Sequence, residues 1–284
     1  MNIFQILLIQ PLTNGLILFY NLLFQNVGLA IIGFSLLIRF LTNPLTKKSM
    51  DSMKKIKEVE PLVAKLKKKY AGDQKGLMAA QTELYKQKGI NPSAGCLPQI
   101  LQIVILIALF NVFNQVLVNK DNKGNIITQE SKMQKLNSLL YEPLKFKEEI
   151  SLNTSFLYLN VGEPDTINKF IGLEDKKPFP IPGPILILAG LLQFLSAKMM
   201  QPMVKKEEKI AKSTESGADD MAVAMQSSMV YTFPAMTIIF GVSFPSGLAL
   251  YWLLFSVFQM YQQYKSSGWG GLTPFINRLR LIQS

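Results

Sequence analysis

Long uncharged stretches of apolar residues alternate along the 284-residue chain with segments rich in lysine. An α-helix rises about 1.5 Å per residue and the hydrocarbon layer is about 30 Å thick, so a membrane span needs roughly 20 residues. The pattern therefore predicts an all-α integral membrane protein with five transmembrane helices, preceded by an amphipathic interfacial helix. We place the interfacial helix in residues 1–26 and the spans in residues 27–46, 97–118, 181–198, 221–243 and 247–264.

Polar residues, glycine and proline decide how two of the long apolar stretches are divided. Residues 1–38 carry no charge, but Pro11, Asn14 and Gly15 interrupt their first part. These interruptions favour an interfacial helix, and an additional span in residues 1–24 is the alternative. The 44 residues from 221 to 264 are also uncharged and are too many for one crossing. Pro-Ser-Gly at 245–247 predicts a tight turn that divides them into two spans.

Charged residues between the spans predict the orientation of the chain. Residues 47–92 are expected to form a cytoplasmic helical hairpin, since 47–90 hold 12 Lys against five acidic residues. Cytoplasmic loops near span ends carry an excess of Lys and Arg, so we expect the N-terminus outside and the C-terminus in the cytoplasm. The other connections are predicted as an extracytoplasmic loop (119–180), a cytoplasmic loop (199–220) and a basic cytoplasmic tail (265–284).

The composition excludes most classes of enzyme. The chain has no His and one Cys, whereas zinc sites, c-type haem attachment and Ser-His or Cys-His nucleophiles need residues that it lacks. We therefore expect no enzymatic activity, no cofactor and no metal. The net charge is +11, and 27 of the 30 basic residues are Lys. Because this charge lies between apolar spans, it favours anionic lipids or an acidic partner such as ribosomal RNA over sequence-specific nucleic-acid binding.

Arg39 is an exception to this charge distribution, because it lies inside the first predicted span. A guanidinium stays charged in proteins, and a fixed charge in hydrocarbon costs about 2.5–3.5 kcal/mol. One interpretation is that the side chain snorkels to the cytoplasmic headgroups, near Lys47, about 12 Å further along the helix axis. The other is that it faces an aqueous groove, which would explain the polar residues in other spans. The predicted groove residues are Arg39, Ser35, Gln102, Gln193, Trp252, Ser256 and Gln259.

The lysine-rich hairpin also has two interpretations. Its apolar residues recur every three or four positions with Lys on the other faces, as in a pair of amphipathic helices. The hairpin could be a solvated element whose charge only sets the topology. It could instead be a docking arm that contacts the ribosome or a passing polypeptide, because flexible methionines accept varied apolar segments. The contact residues predicted for such an arm are Met50, Met53, Lys54, Lys55, Lys65, Lys67, Lys68 and Lys69.

Three short motifs lie at the ends of predicted spans. They are Arg39 with Asn-Pro-Leu at 43–45, Asn-Pro-Ser-Ala-Gly-Cys-Leu-Pro at 91–98, and Phe-Pro-Ser-Gly-Leu-Ala-Leu-Tyr-Trp at 244–252. Together they resemble the YidC/Oxa/Alb membrane protein insertases, over residues 12–118 and 180–265. The resemblance implies a five-span core whose groove is open to the cytoplasm and to lipid but closed on the outer side. It places the family's groove positions at Arg39, Ser35, Gln193 and Trp252.

The resemblance also implies a function. A member of this family would receive nascent membrane proteins from the ribosome, alone or beside the Sec translocon, and insert them into a bacterial plasma membrane without a small-molecule substrate. The 119–180 loop departs from the family pattern, since compact members have a shorter connection there. Two other functions fit the residues: a small transporter or channel whose Arg39 binds an anionic substrate, and a scaffold that tethers ribosomes through the hairpin.

Overall fold

The computed structural model describes residues 2–91, 97–117, 128–148, 151–171, 180–200 and 217–282. Within these residues the chain is mostly helical, as expected. The α-helices are α1 (Gln10–Leu22), α2 (Val27–Lys69), α3 (Gln74–Gln87), α4 (Leu97–Val116), α5 (Gln129–Asn137), α6 (Ile167–Phe170), α7 (Pro184–Met200), α8 (Gly217–Gly241), α9 (Ser246–Ser267) and α10 (Thr273–Ile282). A π-helical turn (Gln5–Ile9) precedes α1, and 3-10 turns form at Glu142–Leu144 and Gly270–Leu272.

The apolar helices coincide with the predicted spans. Among the described residues, one helical stretch is both long and apolar enough to cross a membrane, Val27–Ile56 within α2. Shorter apolar stretches follow at Ile100–Val116, Pro184–Met200 and Val230–Gly241, inside the helices predicted as spans two, three and four. Helix α9 covers the fifth predicted span. The number of crossings and their orientation stay predictions.

Helix α2 continues past the boundary that we expected between the first span and the hairpin, at residues 46 and 47. Proline within a helix removes a backbone hydrogen bond and usually kinks or ends the helix. Pro44 and Pro61 nevertheless both lie inside this 43-residue helix. The first arm of the hairpin is therefore the direct continuation of the first predicted span.

The described chain divides into two compact units. The first contains residues 1–41, 101–192 and 235–257, and the second contains residues 42–100, 193–234 and 258–284. The divisions fall within α2, α4, α7, α8 and α9, so each of these helices contributes one part to each unit.

The core of the first unit is apolar and closely packed. Its most completely buried side chains include Ile17 from α1, Ile31 from α2, Phe113 from α4 and Leu186 from α7. Gly15 lets α1 approach α2, because a Cβ atom there would lie 2.3 Å from Cε2 of Phe34. Further along α1, the apolar side chains of Leu18 and Leu22 are exposed, with 44% and 67% of their surface accessible. Such a surface fits contact with lipid, whether α1 lies in the interface or crosses it.

The long connection between α4 and α7 has a fold of its own, which the expectation of an all-α protein did not include. Strands β1 (Ser155–Phe156) and β2 (Leu159–Asn160) pair antiparallel, with Ser155 opposite Asn160. Helices α5 and α6 lie before and after this pair of strands. The connection is also tied to α1, since Asn14 donates to the Leu139 carbonyl and accepts from the Tyr141 amide.

Residues 153–165 of this connection, here called the capping segment, bind the starts of three helices. The carbonyl of Asn153 accepts a hydrogen bond from the amide of Val27 at the start of α2. The carbonyls of Val161 and Glu163 accept from Gly247 and Ser246 at the start of α9. The carboxylate of Asp165 binds the start of α7. Helix starts carry backbone amides without partners in their own helix, so the segment supplies acceptors that these amides need.

The second unit contains the hairpin and the later parts of α7 and α9. Helix α2 ends at Lys69, and the turn contains Gly72 with a φ of +89°, a conformation that favours glycine. Asp73 then caps α3 by accepting from the amide of Gly76 at 2.9 Å. Val63 from α2 and Leu77 from α3 are both buried, so each arm has an apolar side chain that is shielded from solvent.

Candidate functional site

Arg39 is half-buried in the first unit and lies against α9. Its Nη2 donates a hydrogen bond to the carbonyl oxygen of Phe255 at 3.1 Å. The guanidinium carbon also lies 4.1 Å from the centroid of the Phe255 ring, a cation–π contact. One residue of α9 thus offers the guanidinium a carbonyl dipole and the face of an aromatic ring.

Tyr251 and Gln102 form a second polar contact in the same unit. Tyr251 lies one helical turn before Phe255, and the two ring centroids are 6.4 Å apart. The amide nitrogen of Gln102, on α4, donates to the Tyr251 hydroxyl at 3.2 Å. Both side chains are buried. The contacts therefore connect α2 to α9 through Arg39 and α9 to α4 through Tyr251.

Ser35, Trp252 and Ser256 are buried and do not form an open polar surface. The Ser35 hydroxyl donates to the Ile31 carbonyl at 2.5 Å, and the Ser256 hydroxyl donates to the Trp252 carbonyl at 2.8 Å. Such bonds to the preceding turn satisfy a hydroxyl within its own helix. The Trp252 side chain is 8% exposed. A polypeptide would reach Trp252 only after neighbouring side chains move.

Gln193 and Gln259, the other two predicted groove residues, belong to the second unit. Gln193 is 8% exposed, and its Oε1 has no hydrogen-bond partner among the described residues. The hydroxyl of Ser196, one turn later on α7, is also buried and also has no hydrogen-bond partner among the described residues. Gln259 contacts the sulfur of Met200 at 3.6 Å. An unsatisfied buried polar atom costs about 1–3 kcal/mol, so this part of α7 favours a donor from water or from a bound polypeptide.

The residues predicted as the docking arm lie in the second unit. Met50 is half-buried, and the side chain of Met53 lies outside the described residues. The six lysines that were predicted as contact residues of the arm are exposed: Lys54, Lys55, Lys65, Lys67, Lys68 and Lys69. Met78, on α3, is 63% exposed and was not predicted. Exposed lysines fit both the topology-setting and the docking interpretation.

Sequence reasoning missed Tyr251 and Phe255 as members of the site. Both occur in or beside the 244–252 motif, and their spacing of four places them on one face of α9. That spacing was the available signal. It could not show that Arg39 would use the backbone carbonyl of Phe255, since every residue has such a carbonyl.

Next to Arg39, α2 has an exposed apolar surface. Leu36, Leu37, Phe40 and Leu41 are between 38% and 77% exposed. Water-soluble proteins rarely expose such a patch, which is ordinary where lipid is the solvent. A mostly helical chain with this surface is an α-helical membrane protein.

Comparison with known proteins then gives the family. The chain belongs to the 60Kd inner membrane protein family, whose model matches residues 18–267. It is 30% identical over 239 residues to a protein of Fusobacterium nucleatum named membrane protein insertase YidC, which covers 84% of this chain and 85% of that protein. Proteins of the same name from Pelobacter propionicus and Chlorobaculum parvum are each 30% identical over 256 and 257 residues.

The comparisons confirm the resemblance and the expectation that the chain is not an enzyme. The matches cover 89% and 90% of this chain for the Pelobacter and Chlorobaculum proteins, but only 37% and 35% of those longer proteins. The chain therefore spans about a third of their length and most of the Fusobacterium protein.

Proposed function

We propose that the chain is a membrane protein insertase of a bacterial plasma membrane, and that Arg39 lies in the groove that receives its clients, the nascent membrane proteins. The names of the related proteins support the general function. The contact of Arg39 with Phe255 is the observation that supports this role of Arg39. The proposal includes five spans, with the N-terminus outside and the C-terminus in the cytoplasm.

The contact supports a position inside the bundle over snorkelling. A snorkelling side chain extends along its own helix toward the headgroups. Arg39 instead turns toward α9, and the carbonyl and ring of Phe255 offset part of the cost of about 2.5–3.5 kcal/mol for a charge in hydrocarbon. A cation held there by backbone and ring remains a permanent positive charge that a client can approach.

The capping segment supports the five-span arrangement. The starts of α2, α7 and α9, predicted as spans one, three and five, all bind this one segment. The end of α4, predicted as span two, also lies there, because a Cβ atom on Gly162 of this segment would be 3.1 Å from the carbonyl oxygen of Leu117. In a five-span topology the chain reverses direction with each span. Odd-numbered spans must therefore begin on the side where even-numbered spans end, as these contacts indicate.

In the proposed mechanism, Arg39 lowers the cost of moving a polar segment through the apolar layer. An acidic or polar outer tail of a client is drawn toward the guanidinium, while its hydrophobic helix lies along the exposed apolar surface of α2 and passes into lipid. Trp252 and Ser256 are covered at rest and contact the client after side chains rearrange. Gln193 and Ser196 then offer acceptors to the client backbone.

The exposed lysines of the hairpin support a role in delivery. They present positive charge to ribosomal RNA or to anionic headgroups. A ribosome bound there would release its chain next to the cytoplasmic end of the spans, with the Sec translocon as an optional neighbour.

The test compares Arg39→Ala and Arg39→Lys for insertion of two clients that differ only in whether the outer tail is acidic or neutral. Losing about 1.4 kcal/mol of attraction would slow insertion about tenfold. We therefore expect Arg39→Ala to slow the acidic-tailed client about tenfold and the neutral client much less, with Arg39→Lys in between. Equal insertion of both clients by Arg39→Ala would remove the charge from the mechanism.

A further inference from the structure

Helix α10 follows α9 closely and has no assigned role in the insertase function. The chain turns between the two helices through Gly268 and Gly270, whose φ angles are +62° and +48°. Gly270 lies against α7, because a Cβ atom there would be 1.9 Å from the carbonyl oxygen of Met199. The Thr273 hydroxyl donates to the Gly270 carbonyl at 2.8 Å at the start of α10. The start of α10 is therefore fixed at the level where α7 ends.

Aromatic side chains mark the same level. The rings of Tyr264 and Trp269 are in contact, with centroids 4.8 Å apart and planes tilted by 57°, and Tyr261 and Tyr264 are 53% and 48% exposed. Tyr and Trp concentrate where the hydrocarbon layer meets the headgroups. If α7 and α9 cross the membrane, as the proposed function states, α10 begins at this interface.

The sequence of α10 has one apolar face and flanking cations. Phe275 is 61% exposed, and Leu279 and Ile282 follow it in sequence at the spacings of four and seven that share one helical face. Asn277 is exposed on a different face. Residues 265–284 contain Lys265, Arg278 and Arg280 and no acidic residue. An apolar helical face that includes an exposed Phe275, in a segment whose charges are all positive, is the pattern of a helix that lies in a membrane surface.

We infer that α10 is an interfacial helix that binds anionic phospholipid headgroups beside the ends of α7 and α9. Phe275 enters the upper acyl layer, and the exposed Arg278 pairs with a phosphate. Arg280 adds a second positive charge to this segment of the sequence. Charge complementarity selects anionic over zwitterionic lipid, since each basic residue near such a surface adds to the attraction. The inference rests on the proposed spans and adds a lipid-binding element to them.

The test places an environment-sensitive fluorophore on a single cysteine in the full chain, with Cys96→Ser as background. Phe275→Cys reports the apolar face, and Asn277→Cys is the matched control on the other side of the same helix. The protein is reconstituted in vesicles of phosphatidylcholine with or without phosphatidylglycerol, and a spin-labelled lipid serves as quencher. We expect quenching at position 275 to exceed that at position 277 at least threefold in the anionic vesicles.

Charge variants complete the experiment. Arg278→Glu with Arg280→Glu should reduce quenching at position 275 to the level of position 277, whereas the matching pair of Lys substitutions should retain it. Equal quenching at positions 275 and 277 would overturn the inference, and so would quenching at position 275 that does not change on charge reversal. A change in the fluorescence of position 275 that occurs only when ribosomes are added would also overturn it. Client insertion is measured separately with the Arg39 variants, so either proposal can fail while the other stands.

Discussion

Asp165 is a buried carboxylate with a defined structural role at the start of α7. Its Oδ2 accepts a hydrogen bond from the amide of Leu186 at 2.7 Å, and its Oδ1 accepts from the Tyr158 hydroxyl at 2.9 Å. The Tyr158 oxygen in turn accepts from the amide of Ile185 at 3.1 Å. A carboxylate is favoured at a helix N-terminus, where the dipole is positive. The three groups thus secure one end of α7.

Replacing Asp165 by Asn should destabilise the protein by about 1–3 kcal/mol, because the amide removes a charged acceptor and turns a donor toward Leu186 or Tyr158. Thermal unfolding in detergent measures the loss, and Glu148→Gln, an exposed acid-to-amide change, is the control. A loss no larger than the control's would show that the carboxylate is not needed there.

Tyr158 should give the protein a measurable sensitivity to alkali. Burial raises the pKa of Tyr158 above its usual value of about 10. The folded state therefore keeps the phenol neutral, and the stability that this gives is complete below pH 10 and declines as the pH rises further. The difference in unfolding free energy between wild type and Tyr158→Phe should be constant from pH 7 to pH 9 and narrow above pH 10. A constant difference up to pH 11 would contradict the assignment.

Sequence patterns identified Arg39 but only part of its surroundings. A lone Arg in an apolar run is visible in one sequence, because its cost in hydrocarbon is large whatever surrounds it. The partner, the carbonyl of Phe255, is not visible, since backbone groups are the same at every position. The same limit applies to Trp252 and Ser256, whose shared face was predicted while their burial depends on which helices pack against that face.

At the scale of single elements, α1 and α2 depend on a glycine for their approach. Gly15→Ala would place Cβ 2.3 Å from Cε2 of Phe34, a buried ring that also contacts Phe19 with centroids 6.1 Å apart. Overpacking of this kind costs about 1–3 kcal/mol. We expect Gly15→Ala to be destabilising in the wild type and nearly neutral in a Phe34→Leu background, as measured by a double-mutant cycle of unfolding free energies. Additive effects would show that the ring is not the obstacle.

Apolar runs gave the positions of the helices well and their ends less well. Uncharged stretches of about 20 residues predict helices, because backbone amides and carbonyls in lipid can form hydrogen bonds only within their own segment. The continuation of α2 through Pro44 and Pro61 was not predictable, since local propensity favours a break and the contacts that override it are distant in sequence. The capping segment was also missed, because most of its hydrogen bonds to the helix starts use backbone groups, with the Asp165 carboxylate as the exception.

At the scale of the whole molecule, the proposed orientation can be tested with single cysteines in a Cys96→Ser background. Ser151→Cys precedes the capping segment and Lys68→Cys lies in the hairpin, and both positions are exposed. A membrane-impermeant maleimide should label position 151 in spheroplasts and position 68 only after permeabilisation. This outcome follows from the excess of Lys in residues 47–90. The reverse pattern would invert the topology.

The burial of the polar side chains in the first unit bears on how the cell tolerates this protein when no client is in transit. Ser35 and Ser256 turn their hydroxyls to their own helices, and Gln102 is engaged with Tyr251. Among the described residues of that unit, these groups are not available to hydrogen-bond a continuous chain of water molecules. An idle copy should therefore leave the proton-motive force intact, and ions should leak only during the brief passage of a polypeptide.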